Sequence, residues 1–264
     1  MNTNSFNIQN VIRLTKNRII ESKRKLLLQA LLYYGIILCI GFFWLSITNN
    51  DLPYIIMYTG FLIFFFAVNT ASFFANILED IQTKESNCFY FMIPASISEK
   101  FVSRLAFVII KCIFLLGITF ILAELTRYML DLLLGMPNFN IIKCYSQSLS
   151  VNQNLVMNTY NVIWSIWILS TFILGGCWYR KRPFGKVILW HILLFMLIMI
   201  IGINQFFHFV QTNVAFTQDV TELTEEYTSQ GQNIVSAIEI LLTLLSVFNI
   251  WLSYRLFKRR QIIK

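Results

Sequence analysis

Six stretches of this chain are apolar for long enough to cross a bilayer, with polar or charged segments between them. They cover residues 26–47, 54–77, 102–125, 156–179, 187–207 and 234–257. Each is near the roughly 20 residues that a helix needs to span about 30 Å of hydrocarbon. The pattern predicts an all-α, polytopic membrane protein whose six-span domain occupies residues 26–257. Before the first stretch the pattern becomes amphipathic. Ile8, Val11, Ile12, Thr15 and Ile19 recur at helical spacing, and Gln9, Arg13, Lys16 and Asn17 fall on the other side. Residues 1–25 are therefore expected to form an amphipathic helix lying flat at the cytoplasmic interface; the plainer reading is a basic flank that sets topology.

The cations decide the orientation. If the spans alternate, one side receives Arg13, Lys16, Arg18, Lys23, Arg24 and Lys25 from the N-terminal arm. It also receives Lys84, Lys100 and Arg104 from the second-to-third connection, and Arg180, Lys181, Arg182 and Lys186 from the fourth-to-fifth turn. The tail adds Arg255, Lys258, Arg259, Arg260 and Lys264. The other side holds Arg127 and Lys143, and Lys111 stands within a span. Cytoplasmic loops retain Lys and Arg, so both termini are expected in the cytoplasm, with residues 258–264 as a basic tail. Trp44, Tyr54, Tyr160, Trp178, Tyr179, Trp251 and Tyr254 fall near the expected interfaces, where amphipathic rings prefer the headgroup level.

Composition agrees. Hydrophobic residues make up 57% of the chain and charged residues 13%, against roughly 25% charged in a soluble domain. Mean hydropathy is +0.64. The net charge of +8 is explained by topology and anionic lipid, and no basic, aromatic-interleaved groove points to nucleic acid. The first apolar run is longer than the about 7–15 residues of a signal-peptide core, so it is read as a retained span. Of five cysteines, Cys39, Cys112 and Cys177 fall in spans, Cys88 inside and Cys144 outside. No CxxC pair suggests a disulfide framework or zinc, and buried structural thiols are expected.

The second-to-third connection, 76–100, carries the most information. An apolar cluster of Phe89, Tyr90, Phe91, Met92 and Ile93 follows a polar run that includes Glu85. Pro94 disfavours helix at Ile93. Ser96 stands three residues before Glu99, the spacing of a capping box, so a helix starting there would run straight into the third span. Two readings of the aromatic cluster stand side by side. It is a docking surface for a cytoplasmic partner, or it packs back on the chain's own helix ends.

Glu79-Asp80-Ile81-Gln82-Thr83-Lys84-Glu85, then Tyr90-Phe91-Met92-Ile93-Pro94-Ala95-Ser96, then Glu99-Lys100-Phe101 and Arg104-Leu105, resemble the cytoplasmic connection of bacterial ABC-2-type permeases. Ile93 stands where that pattern more commonly has Leu. The resemblance implies the membrane subunit of an ABC exporter in a bacterial cytoplasmic (inner) membrane. It implies a coupling helix within 76–96 against which a cytoplasmic ABC ATPase subunit docks, through Glu85 and Phe89–Ile93. It also implies a second permease copy or paralogue. Ser96 and Glu99 would then be the cap of a lever that joins docking element to span. This chain holds no GxxxxGK[ST] loop, so ATP and Mg would belong to the partner and the chain itself would carry no cofactor.

The remaining features are weaker. The turn 179–186, with Pro183 and Gly185, reads as a tight basic reversal. Tyr128–Leu134 either extends the third helix outward or lies at the interface. The acidic outer segment 208–233 reads as a solvated loop, or as carrying a short helix around 219–227 before the last span. Lys111 reads as a snorkelling or paired cation, or as part of a pathway; Glu239 reads as an outer-vestibule residue or a bland one. Glu124 and Arg127 read as a local salt bridge. Asn69, Asn161 and Asn249 are candidates to bridge helices. HExxH and GxSxG are absent, so no catalytic residue is assigned and the chain is not read as an enzyme. The competing functions are a non-transporting membrane scaffold or immunity protein and an ion-coupled secondary transporter. The latter lacks paired Gly/Pro helix breaks.

Overall fold

The computed structural model describes residues 6–47, 52–81, 90, 92–134, 155–179, 181–213 and 220–260, and the regular structure among them is helical. In chain order the helices are α1 (Ile8–Ile47), α2 (Leu52–Ala75), a 3-10 turn (Glu79–Ile81), α3 (Ile97–Cys112), a π-helical segment (Ile113–Ile118), α4 (Thr119–Leu134), α5 (Leu155–Trp178), α6 (Pro183–Asn213) and α7 (Val220–Arg260). Among the described residues, six helical segments are long and apolar enough to cross a membrane: Ile8–Gly41, Tyr58–Ala75, Ile97–Leu130, Thr159–Trp178, Pro183–Ile200 and Ser236–Arg259. The chain is built as a multi-pass membrane protein. It divides into two compact units, Met1–Leu155 with Phe257–Lys264, and Val156–Leu256.

In the first unit, α1 and the third span run parallel. Partner numbers rise together: Asn7 N–H donates to Glu99 at 2.7 Å, Thr15 Oγ1 to the Ser103 carbonyl at 3.3 Å, and Tyr34 OH to Thr126 at 3.2 Å. The second span runs against both. Tyr33 OH donates to Asn69 at 2.8 Å, Tyr58 OH to Glu124 at 2.9 Å, and Arg104 to the Ile77 carbonyl at 3.1 Å. This is the alternation expected of consecutive spans. A core of Ile37, Tyr58, Leu62 and Ala123 holds the three together, and Phe66 meets Phe120 edge-on at 5.6 Å.

Two expected breaks are not there. The amphipathic segment before residue 26 is helical, but it is the start of one uninterrupted 40-residue helix. Its apolar face meets two surroundings: Val11 and Thr15 are buried, while Ile8 and Ile12 are exposed. Neither Gly nor Pro stands at the polar-to-apolar change, so nothing ends the helix there. Likewise the expected short helix around 219–227 and the last span form one 41-residue helix, α7. Tyr128–Leu134 takes the first of its two readings and extends the third-span helix, as α4. Cys177 is buried as expected, whereas Cys39 is exposed.

In the second unit, α5 and α6 are antiparallel and very close. A Cβ placed on Gly175 would overlap Val187 Cγ2. His191 packs face to face on Phe172 at 5.4 Å, and its two ring nitrogens lie 3.0 Å from Thr171 Oγ1 and 2.8 Å from the Val187 carbonyl. Asn249 donates to Ser170 at 3.1 Å and so bridges α7 to α5. Asn69 bridges α1 and α2, whereas Asn161 is exposed. The turn into α6 is tight, but the residue with positive φ is Arg182, at 50°, and Gly185 is already helical. Pro183 opens α6, where a missing N–H costs nothing.

Candidate functional site

The start of α3 is a joint of several chain segments. Its capping box is formed in full: Glu99 N–H donates to Ser96 Oγ at 3.3 Å, and Ser96 N–H donates to Glu99 Oε2 at 3.0 Å. Glu99 is only 2% exposed, which for a carboxylate demands partners. Besides Ser96, the first turn of α1 supplies them. Asn7 N–H reaches Oε1 at 2.7 Å and Asn10 Nδ2 reaches Oε2 at 3.3 Å. One carboxylate therefore caps its own helix and ties it to the beginning of another.

Arg104 is the second tie. It is 1% exposed and donates to the Ile77 carbonyl, where α2 has just ended. Its guanidinium lies 4.1 Å from the centre of the Tyr90 ring, close enough for a cation–π contact. Tyr90 OH donates to the Lys100 carbonyl at 2.9 Å, which turns the ring onto α3. Phe101, the next residue, packs against the fully buried Phe257 near the end of α7 at 5.6 Å.

Of the expected docking residues, Glu85, Phe89 and Phe91 lie outside the described residues. Tyr90 is half-buried and anchors the connection. Met92 is 77% exposed, and Ile93 and Pro94 are also exposed. The two readings of the apolar cluster thus fall on different residues: Tyr90 packs back, whereas Met92 and Ile93 face outward. Ser96, Glu99 and Tyr90 come together in the joint. Lys111 lies apart from it, its Nζ 4.5 Å from the centre of the Phe73 ring, in a cleft lined also by Arg18 and Lys25. Glu239, in the second unit, is half-buried, and one of its carboxylate oxygens has no hydrogen-bond partner among the described residues.

Sequence reasoning missed Asn7, Asn10 and Arg104 as members of the joint. Arg104 carries a signal, because it is a cation inside the predicted span 102–125. The Asn residues carried none, since their role depends on α1 lying alongside α3. Tyr58 was missed in the same way. It is fully buried and bonds Glu124, while Arg127 holds the other Glu124 oxygen at 2.9 Å and 3.1 Å. Among the described residues no three His, Cys, Asp or Glu side chains gather into a metal-ligand set. The joint places an exposed apolar turn beside the buried start of a spanning helix.

Comparison of the chain with protein-family models, with curated proteins and with solved structures gives no match.

Proposed function

We propose that this chain is the permease subunit of an ATP-driven exporter, with both termini in the cytoplasm and with cytoplasmic ATPase subunits as partners. The observation that carries the reading is the joint at Ser96–Glu99 together with the exposed turn at Met92–Pro94. Apolar side chains on a cytoplasmic turn suit a protein partner, because their burial there is favourable and their exposure to water is not. Force applied to that turn has a stiff route. Tyr90 and the capping box pass it to α3, Arg104 to the end of α2, and Glu99 through Asn7 and Asn10 to α1. Rigid-body movement of packed helices is how such a push becomes a rearrangement of spans. ATP and Mg would be bound by the partner. The resemblance of 79–105 to ABC-2-type permeases supports the same reading.

The test is co-purification. With Met92→Asp and Ile93→Asp combined, recovery of the ATPase with the chain in mild detergent is expected to fall at least about tenfold, the loss of roughly 1.4 kcal/mol. Membrane insertion and yield are expected to stay the same, because neither side chain is packed in the joint. Unchanged recovery would remove the docking assignment. A chain that binds the ATPase but supports no ATP-dependent efflux would instead be a scaffold.

A further inference from the structure

The third span is not one regular helix. Between α3 and α4 stands the π-helical segment Ile113–Ile118, a wider turn that holds more residues than an α-helical one. We propose that this segment is a one-residue insert that acts as the hinge of the third span. It keeps the two halves of the span facing the same way and lets them bend against each other. The inference is independent of the exporter reading.

Register is the first argument. An α-helix returns to the same face after about 18 residues, five full turns. Phe107 and Thr126 both meet α1: the Arg18 guanidinium lies 4.7 Å from the centre of the Phe107 ring, and Tyr34 OH donates to Thr126 at 3.2 Å. The two positions are 19 residues apart (126 − 107). In an unbroken α-helix that surplus of one would turn them about 100° away from each other. Arg104 and Arg127, 1% and 3% exposed, repeat the excess. They are 23 residues apart (127 − 104), whereas six turns take about 22. A single π turn takes up the surplus residue and brings both halves back to one side.

Hydrogen bonding is the second argument. At the entry to the segment, Ile113 N–H is shared between the Ile109 and Ile110 carbonyls. At its exit, Thr119 N–H donates to the Leu116 carbonyl, three residues back, and the Thr119 hydroxyl donates to the Leu115 carbonyl, four back. A ladder with shared and substituted bonds resists bending less than a regular one, and sharp helix kinks fall at such places. The third argument is the surroundings. Both flanks are fastened, α3 through Glu99 and Arg104 and α4 through Glu124 and Thr126. Within the segment only Leu115 and Leu116 are buried. Ile113, Phe114 and Ile118 are exposed, and a Cβ on Gly117 would meet nothing within 4 Å. Bending there displaces little packing, whereas bending in either flank would break buried ties.

The experiment compares four full-length chains in detergent: the parent, one with Gly117 deleted, one with an alanine inserted after Gly117, and one with Ile63 deleted. Ile63 is exposed, but it lies in the regular helix α2 between Tyr58 and Asn69, which both bond to neighbouring spans. Deleting Gly117 removes the surplus residue, so the unfolding temperature is expected to stay within about 3 °C of the parent. The insertion and the Ile63 deletion each turn one half of a span by about 100° and should lower it by at least about 10 °C. Spin labels at Val102→Cys and Met129→Cys, both exposed and on opposite sides of the segment, then read the hinge, with the native cysteines replaced by serine. Their distance distribution is expected to be about twofold narrower in the Gly117 deletion than in the parent, because a continuous α-helix lacks the break. A Gly117 deletion as damaging as the Ile63 deletion overturns the insert. So does an insertion tolerated as well as the deletion, since a stretch that accepts both sets no register. Equal widths in parent and deletion overturn the hinge.

Discussion

Glu124 and Arg127 are both nearly out of reach of solvent, so their charges depend on each other and on Tyr58. Removing Arg127 takes the countercharge from buried Glu124, at a cost of about 3–5 kcal/mol, whereas removing both charges together can be close to neutral. Arg127→Met alone is therefore expected to lower the thermal unfolding temperature in detergent sharply. Adding Glu124→Gln should restore most of the loss. Additive losses in the double variant would show that the two charges do not support each other. At the joint, the same logic ranks three variants. Ser96→Ala removes one helix cap, about 1 kcal/mol. Glu99→Ala removes the acceptor for Asn7, Asn10 and Ser96 at once, and hydrogen bonds to a charged group are worth about 1.5–3 kcal/mol each. Glu99→Ala should thus destabilise well beyond Ser96→Ala, with Glu99→Gln between them. If Ser96→Ala proved the more harmful, the tie from α1 to α3 would carry little weight.

The elements were legible wherever one physical rule dominates. Hydrocarbon thickness sets the length of an apolar run, so all six spans could be read from the sequence, and the Ser96–Glu99 cap is a local spacing that needs no tertiary knowledge. What could not be read depends on neighbours. At 40 residues α1 is about 60 Å long, twice the hydrocarbon thickness. The change at residue 26 is one of side-chain polarity, and a helix has no reason to stop there. The π-helical segment at Ile113–Ile118 has as local hints Gly117 within it and Thr119 just after it, and a hydroxyl bonding back to a carbonyl, as Thr119 does to Leu115, is common in ordinary helices too. The closeness of α5 and α6 depends on which face of Gly175 meets Val187, which span-level hydropathy does not encode. That closeness is testable. Gly175→Ala has no room beside Val187, and overpacking costs about 1–3 kcal/mol. Gly35→Ala meets nothing within 4 Å and should be neutral or stabilising by up to about 1 kcal/mol through helix propensity. Pairing Gly175→Ala with Val187→Ala should recover stability. Equal effects of the two glycine changes would rule out a tight α5–α6 crossing.

At the scale of the whole molecule, two independent arguments bear on the proposed topology. Partner numbering in the first unit makes successive spans alternate in direction, whatever their charge. The proposal that both ends face the cytoplasm rests on the distribution of Lys and Arg. The third span lets both be tested together. Its helical segment Ile97–Leu130 has 34 residues, about 50 Å, which is more than a bilayer's hydrocarbon. Met92 precedes its start and Leu133 follows its end, at 77% and 82% exposure. With the native cysteines replaced by serine, a Met92→Cys chain should react with a membrane-impermeant maleimide only after cells are permeabilised. A Leu133→Cys chain should react in intact cells. Labelling of both from one side would mean that the third span does not cross. Reversed labelling would leave the helix packing intact but put the Met92 turn outside, out of reach of any cytoplasmic ATPase. The exporter reading would then fail even though the fold stood, because force on α3 can come from ATP only if Met92 and Ile93 face the compartment where ATP is bound and hydrolysed.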